Sequence, residues 1–250
     1  MTPTIQRRRH GAAEVITLDE PRRRNVLSMD TMTALTAAIR DAGAGDARAI
    51  VLAATGPAFS AGHALDEIAG ATREQADELF ATCETMLAAI GAVPQPVIAR
   101  VHGLATAAGC QLVATCDLAV AGESARFALS GCKVGFFCHT PLVAVAHTIG
   151  RKRALEMALT GDPIDAHTAA AWGLINHVVA DDELDDQVDD LVGRCCQASA
   201  AANGIGKHTF YRQVDLPVGE AYAVATPVMA QAAVSDDAQA GIDAFLHRRR

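Results

Sequence analysis

Rings are scarce in these 250 residues: one Trp, two Tyr and seven Phe make up 4% of a chain that is half apolar. A core of the required size must therefore be built from Ala, Val and Leu, with helices packed closely. No stretch approaches the ~20 apolar residues of a bilayer span, and the basic N-terminal segment lacks the apolar run of a secretory signal. Positive charge is in deficit, with 21 Lys and Arg against 29 Asp and Glu and a net charge of -8, which argues against nucleic acid as the main partner. The seven cysteines (Cys83, Cys110, Cys116, Cys132, Cys138, Cys195, Cys196) include no C-x-x-C pair, and no His/Cys spacing fits zinc, so no metal site is expected. An odd cysteine count without a leader points to a reducing, cytoplasmic setting. G-x-G-x-x-G and P-loop phosphate cradles are missing as well.

What is present is alternation. Strand patterns at "AAEVITLDE", "ARAIVLAATG", "PVIARVHG", "DLAVAG" and "ARFAL" alternate with helical ones. The helices are expected from an N-cap at Ser28 to about Arg40, from Arg73 to Ile90, over "LATAAGCQLVATC", from Pro141 to Ile149 and from Lys152 to Leu159. In "GDPIDAHTAAAWGLINHVV" Asp165 caps a further helix, and a strand follows. This calls for an α/β core over residues 1–180. Beyond Asp181 the chain reads as wholly helical, a lobe over 181–250 that must pack on the core or on another subunit. The block "DDELDDQVDD" is the solvated face of its first helix. Three basic triplets, Arg7–Arg9, Arg22–Arg24 and Arg248–Arg250, are either solvated surface or contacts for a polyanionic ligand.

Two glycine-bearing strand-to-helix junctions stand out, "FSAGHALDEI" at 59–68 and "VHGLATAAGCQL" at 101–112. Small residues ahead of a helix leave backbone N–H groups exposed at its positive end. Two such donors aimed at one point would stabilise a negatively charged oxygen.

Together with "RALEMALTGDPIDAHTAAAWGLINHVV" and "SDDAQAGIDAFLHRRR", these junctions resemble the enoyl-CoA hydratase/isomerase, or crotonase, family from about Val15 to Phe245. "SAGH" and "GCQL…GFFCHTP" bring the chain nearest to the enoyl-CoA hydratase domain-containing 3-like subgroup. The resemblance implies an α/β crotonase-type spiral of ββα units with a C-terminal helical lobe that covers the site. It also implies trimers that pair into hexamers, an acyl-CoA ligand of fatty-acid metabolism, and no cofactor beyond the CoA moiety. By motif position the thioester oxygen would lie between the backbone N–H groups of His63 and Ala108. His63, Ala64, Leu65 and Asp66 would line the acyl-CoA channel, with Arg22, Arg23 and Arg24 near the CoA nucleotide, and Arg248 to Arg250 are a second basic candidate.

One departure decides the chemistry. Hydratases of the family use two glutamates acting on one water. Here Gln111 stands at the first position and, by the spacing after "ARF", Gly131 at the second. Glutamine is isosteric with glutamate but accepts no proton. Acid-base help is worth roughly 10²–10⁴ per group and an oxyanion donor roughly 10²–10³, so ordinary hydration should be crippled while enolate stabilisation survives. Candidate substitutes are His139 (catalytic or merely exposed), Glu84, Asp66 (cap or base), Ser130 (donor or turn), and Cys132 and Cys138 (nucleophile or packing), while the His63 imidazole either lies in the channel or points to solvent. Three function classes follow: a CoA-thioester enzyme of another reaction type, a non-catalytic acyl-CoA binder, and a structural subunit of a trimer.

Overall fold

The segment AIVLAA is buried at every position, the mark of a strand covered on both faces. In the computed structural model, which describes residues 5–247, it lies inside a six-stranded sheet. The strands of that sheet are β1 (Ile5–His10), β2 (Ala13–Leu18), β3 (Ala49–Ala54), β5 (Val97–Val101), β7 (Leu118–Gly122) and β10 (His177–Val179), in that spatial order. A second, four-stranded sheet holds β4 (Ala58–Ser60), β6 (Leu104–Thr106), β8 (Arg126–Ala128) and β9 (Ile164–Asp165). Pairing is parallel except in the β1–β2 hairpin and between β8 and β9.

After α1 (Met29–Ala44), capped by Ser28, the chain winds as a spiral. Each turn lays one strand in the large sheet, one in the small sheet and then a helical segment. β3 and β4 lead to α2 (Leu65–Ile68) and α3 (Arg73–Ala92), and β5 and β6 lead to α4 (Ala108–Thr115). β7 and β8 lead to α5 (His139–Ile149) and α6 (Arg151–Thr160), and after β9 comes α7 (Ala166–Trp172), with Asp165 accepting from the Thr168 N–H at 2.7 Å. This is the ββα spiral that the resemblance implies.

The structure corrects three local expectations. Leu104–Thr106 is strand, not the start of a helix, because it pairs with both β4 and β8. α5 begins at His139, with Pro141 in its first turn, where a missing N–H costs nothing. IQRRRH carries no apolar alternation, yet it forms the edge strand β1 through backbone pairing, with Arg7 bound to Glu14 and Asp41 and Arg9 to Asp46. Charged side chains on an edge also block further strand addition.

Leu184, Val188, Leu191 and Val192 form one stripe of α8 (Leu184–Cys195) and cover the outer face of the large sheet against Val15, Val51, Ile98 and Val120. The acids of that helix face outward, with Asp185 meeting Arg100 and Asp189 meeting His10. The next helix, α9 (Ala200–Gln213), is anchored by charge. Lys207 reaches Asp117 Oδ2 at 2.6 Å and the carbonyls of Ile90 and Gln95 at 2.7 and 2.8 Å, which matches its three donors. Tyr211 donates to the other Asp117 oxygen at 2.6 Å. Burial pulls the Lys207 pKa down, and Asp117 works against that shift. α10 (Val218–Ala233) and α11 (Asp236–His247) bury no residue and expose Val218, Tyr222, Met229, Ile242 and Leu246.

Lys207→Ala would strand a carboxylate against the core and should cost about 3–5 kcal/mol. Asp77→Ala, which breaks the exposed Arg73 pair on α3, should cost under about 0.5 kcal/mol. Urea midpoints at unchanged slope measure both, and equal losses would show that the Lys207 cluster is no anchor.

Candidate functional site

The two glycine junctions meet backbone to backbone. Gly62 has φ +85, and a Cβ there would lie 3.0 Å from the Thr106 carbonyl and 3.2 Å from the Ala108 nitrogen. A Cβ on Gly109 would lie 2.4 Å from the Ser60 carbonyl. Between them Ala107 takes φ 51 and ψ -120, a conformation foreign to residues with a side chain that costs of order 1–3 kcal/mol. Its N–H is spent on the Ala128 carbonyl at 3.0 Å. The first turn of α4 is thereby pressed onto residues 60–62.

This packing leaves two N–H groups uncommitted. Ala108 is the first residue of α4, so its N–H has no intrahelical acceptor. His63 is skipped by a bridge in which the Leu27 N–H donates to Gly62 and the Ala64 N–H to Leu27, at 2.8 and 3.4 Å. Among the described residues neither N–H has a protein acceptor. Both residues line a cavity of about 280 Å³ whose other walls include Leu65, Phe80, Val134, Phe136, Phe137 and Pro141. No Asp, Glu, Lys or Arg is among its lining residues, and all of those residues lie between Ala61 and Pro141, so the helices beyond 181 supply none.

The expected site residues separate on this map. Of the stretch read as channel, His63 and Leu65 line the cavity, Ala64 is fully buried, and Asp66 is held by Arg23 at 2.7 and 2.8 Å. Asp66 therefore neither caps α2 nor faces the cavity. Arg22 to Arg24 follow Pro21 in an exposed turn tied to the site by the Arg24 carbonyl, which accepts from the Ala61 N–H at 3.0 Å. Arg248 to Arg250 lie outside the described residues. Glu84 faces solvent on α3, away from the cavity.

Gln111 is buried one turn into α4. Its Nε2 donates to the Thr140 carbonyl at 3.0 Å, tying α4 to α5, and its Oε1 is buried without a partner among the described residues. Gly131 sits in the tight turn Ser130–Val134, where a Cβ would lie 1.9 Å from the Phe136 carbonyl and 2.9 Å from Cys138 Sγ. That position is closed to every side chain unless the 130–138 segment opens.

Cys138 is buried and its thiol is pushed up, first by desolvation, which suits packing rather than attack. Cys132 is half-buried in the same turn and does not line the cavity. The Ser130 and Thr106 hydroxyls bind each other at 2.8 Å. His139 is exposed at the cavity mouth, tilted against Phe137 at 5.1 Å.

The His63 ring packs edge-on to Phe80 at 5.3 Å and 86°, with both ring nitrogens buried. Neither ring nitrogen makes a hydrogen bond. Burial pushes its pKa down, and the nearby Leu27 carbonyl offsets part of that without hydrogen-bond geometry. Sequence reasoning missed the three phenylalanines of the wall. The signal was available, because three of only seven Phe gather here.

A family model described as enoyl-CoA hydratase/isomerase matches residues 8–250. The chain is 41% identical over 249 residues to the mitochondrial enoyl-CoA hydratase domain-containing protein 3 of Rattus norvegicus, covering 99% of this chain and 83% of that one. An enoyl-CoA hydratase structure from Mycobacterium smegmatis superposes with a TM-score of 0.96 at 45% identity, covering 99% of this chain and 98% of that one. The human enoyl-CoA hydratase domain-containing protein 3 does so with a TM-score of 0.93 at 40% identity and the same coverage.

If the glycine contact builds the site, Gly109→Ala should cost about 1–3 kcal/mol by overpacking. Gly193→Ala, in open space on α8, should gain about 0.5–1 kcal/mol. Thermal melts of the two variants give the comparison, and a neutral Gly109→Ala would refute the close approach.

Proposed function

The chain belongs to the enoyl-CoA hydratase/isomerase family, and we propose that it acts on an acyl-CoA thioester whose oxygen is held between the His63 and Ala108 N–H groups. The observation that carries this reading is the pair of uncommitted donors on the wall of one apolar cavity. Each donor would supply roughly 10²–10³ in rate as charge gathers on the thioester oxygen. Leu65, Phe80 and Phe136 would hold the acyl chain, and the exposed turn Arg22 to Arg24 would meet the charged part of CoA. The reading calls for no cofactor beyond the CoA moiety.

We take Gln111 and Gly131 to stand where hydratases of the family carry glutamates. Neither activates water here: the Gln111 amide is tied to Thr140, and the Gly131 position is filled by the Phe136 backbone. The site therefore supports enolate-type chemistry on a thioester over addition of water. A second reading, a non-catalytic acyl-CoA binder, is favoured by one observation, the lack of any carboxylate on the cavity wall. The exposed apolar side chains of α10 and α11 support a homotrimer, or a hexamer of two, built through the lobe after residue 181. Among the described residues no helix is long and apolar enough to cross a membrane. The seven free thiols favour a reducing compartment such as the cytoplasm.

Hexanoyl-CoA at a hundredfold excess over its Kd should add about 2.7 kcal/mol. For a chain of this length that is a rise of roughly 5–10 °C in Tm, which hexanoate should not reproduce. Hydration of crotonyl-CoA should stay below about 0.01 s⁻¹, several decades under an ordinary turnover. No thermal shift would refute thioester binding, and rapid hydration would refute the reading of Gln111 and Gly131.

A further inference from the structure

One Trp, two Tyr and seven Phe serve the whole chain, so the places where rings gather carry information. Phe59 and Phe127 are sealed in the core, and Phe210 and Phe245 belong to helices after residue 181. The other three, Phe80, Phe136 and Phe137, all line the cavity of the proposed site. None of the three is sealed. Phe136 is 39% exposed, and Phe80 and Phe137 are half-buried, so each keeps ring surface that the fold does not use.

The aliphatic side chains of the lining stand elsewhere. Leu65 and Val134 are 55% and 65% exposed, which puts them at the rim. Further in, the large apolar side chains are aromatic, with the buried Cys138 and Pro141 beside them. Phe80 meets the His63 ring edge-on at 5.3 Å and 86° and Phe136 at 6.0 Å and 42°. Phe137 meets His139 at 5.1 Å and 58°. No pair is a face-to-face sandwich, and a tilted pair leaves part of each face uncovered, where a further ring can settle. His63 also carries the N–H assigned to the thioester oxygen, so the aromatic wall begins close to the carbonyl. No Asp, Glu, Lys or Arg lines the cavity, and a charged group on the acyl part would lose its water there and meet no counter-charge.

We propose that the acyl group is aryl, an uncharged planar ring close to the thioester carbonyl, and that Phe80, Phe136 and Phe137 determine this specificity. The proposal rests on the thioester reading given above and names its substrate class. A saturated chain is held in such a cavity by buried area alone. A ring adds the edge-to-face attraction of aromatic quadrupoles, which is about twofold to tenfold in affinity for a well-placed pair.

The test compares phenylacetyl-CoA with cyclohexylacetyl-CoA by calorimetry on the whole protein, with hexanoyl-CoA as the control for thioester binding. The two ring esters share one carbon skeleton and differ in planarity and π faces. Transfer from water favours the saturated ring, which carries more apolar surface, so area alone makes the cyclohexyl ester the tighter ligand. The aromatic wall reverses that order, and phenylacetyl-CoA should bind tighter by about threefold or more. Phe80→Leu/Phe136→Leu keeps the lining apolar and should level or invert the two affinities. Phe136→Leu alone, at a half-exposed position, should narrow the preference by about twofold and keeps the test open if the double variant fails to fold. If hexanoyl-CoA binds and phenylacetyl-CoA is no tighter than the cyclohexyl ester, the aryl specificity is overturned and thioester binding stands. A preference undiminished in both variants overturns it as well. If no thioester binds, both readings fall.

Discussion

At Gly109 one added carbon would sit 2.4 Å from the Ser60 carbonyl, and at Gly62 one would sit 3.0 Å from that of Thr106. Two stretches of bare backbone are pressed together there, and the rest of the site is arranged around that approach. Ala107 is forced into a strained conformation at the junction, its N–H drawn off to Ala128. The start of α4 is thereby aimed at His63, and the small residues of "ATAAG" keep its first turn open. Local strain of this size persists only where the surroundings over-determine it. Here β6, locked between β4 and β8, supplies that constraint.

The longer elements were legible because burial imposes a period on them. β3, α1 and α3 each present an apolar pattern long enough to read. The three-residue strands β4 and β6 have no room for a period, so their place in the small sheet followed only from pairing. β1 escaped notice for the opposite reason: six residues without an apolar face are held by the hydrogen bonds of β2. The glycine junctions of the site could be read because close backbone approach excludes side chains locally. That Gly131 is sealed by Phe136, and that the His63 ring joins Phe80, could not, since both depend on how a distant loop returns.

The helices after residue 181 are held to the core in two different ways. α8 is held by area, its apolar stripe closing the outer face of the large sheet. α9 is held by a buried charge whose partners come from α3, the loop after it and the end of α4. A buried ion pair of this kind fixes position more than it adds stability, because desolvation offsets much of the attraction. α10 and α11 have neither kind of attachment, with no buried residue of their own. α10 rests on α9, and α11 on α10 and Ser199, so helices of 16 and 12 residues that bury none of their own side chains depend on thin packing, which is the physical case for the proposed subunit contact through this lobe.

The polar inventory of the cavity separates recognition from chemistry. A hydratase needs two groups that exchange protons with water, so it needs carboxylates and room for a water molecule beside them. Here no carboxylate lies on the wall, the space beside Gly131 is filled by main chain, and the buried amide of Gln111 is turned to bracing α5. The proposed oxyanion donors would not depend on those losses, because they are backbone groups set by the glycine contact. A fold can therefore change its proton carriers without disturbing how it holds a thioester.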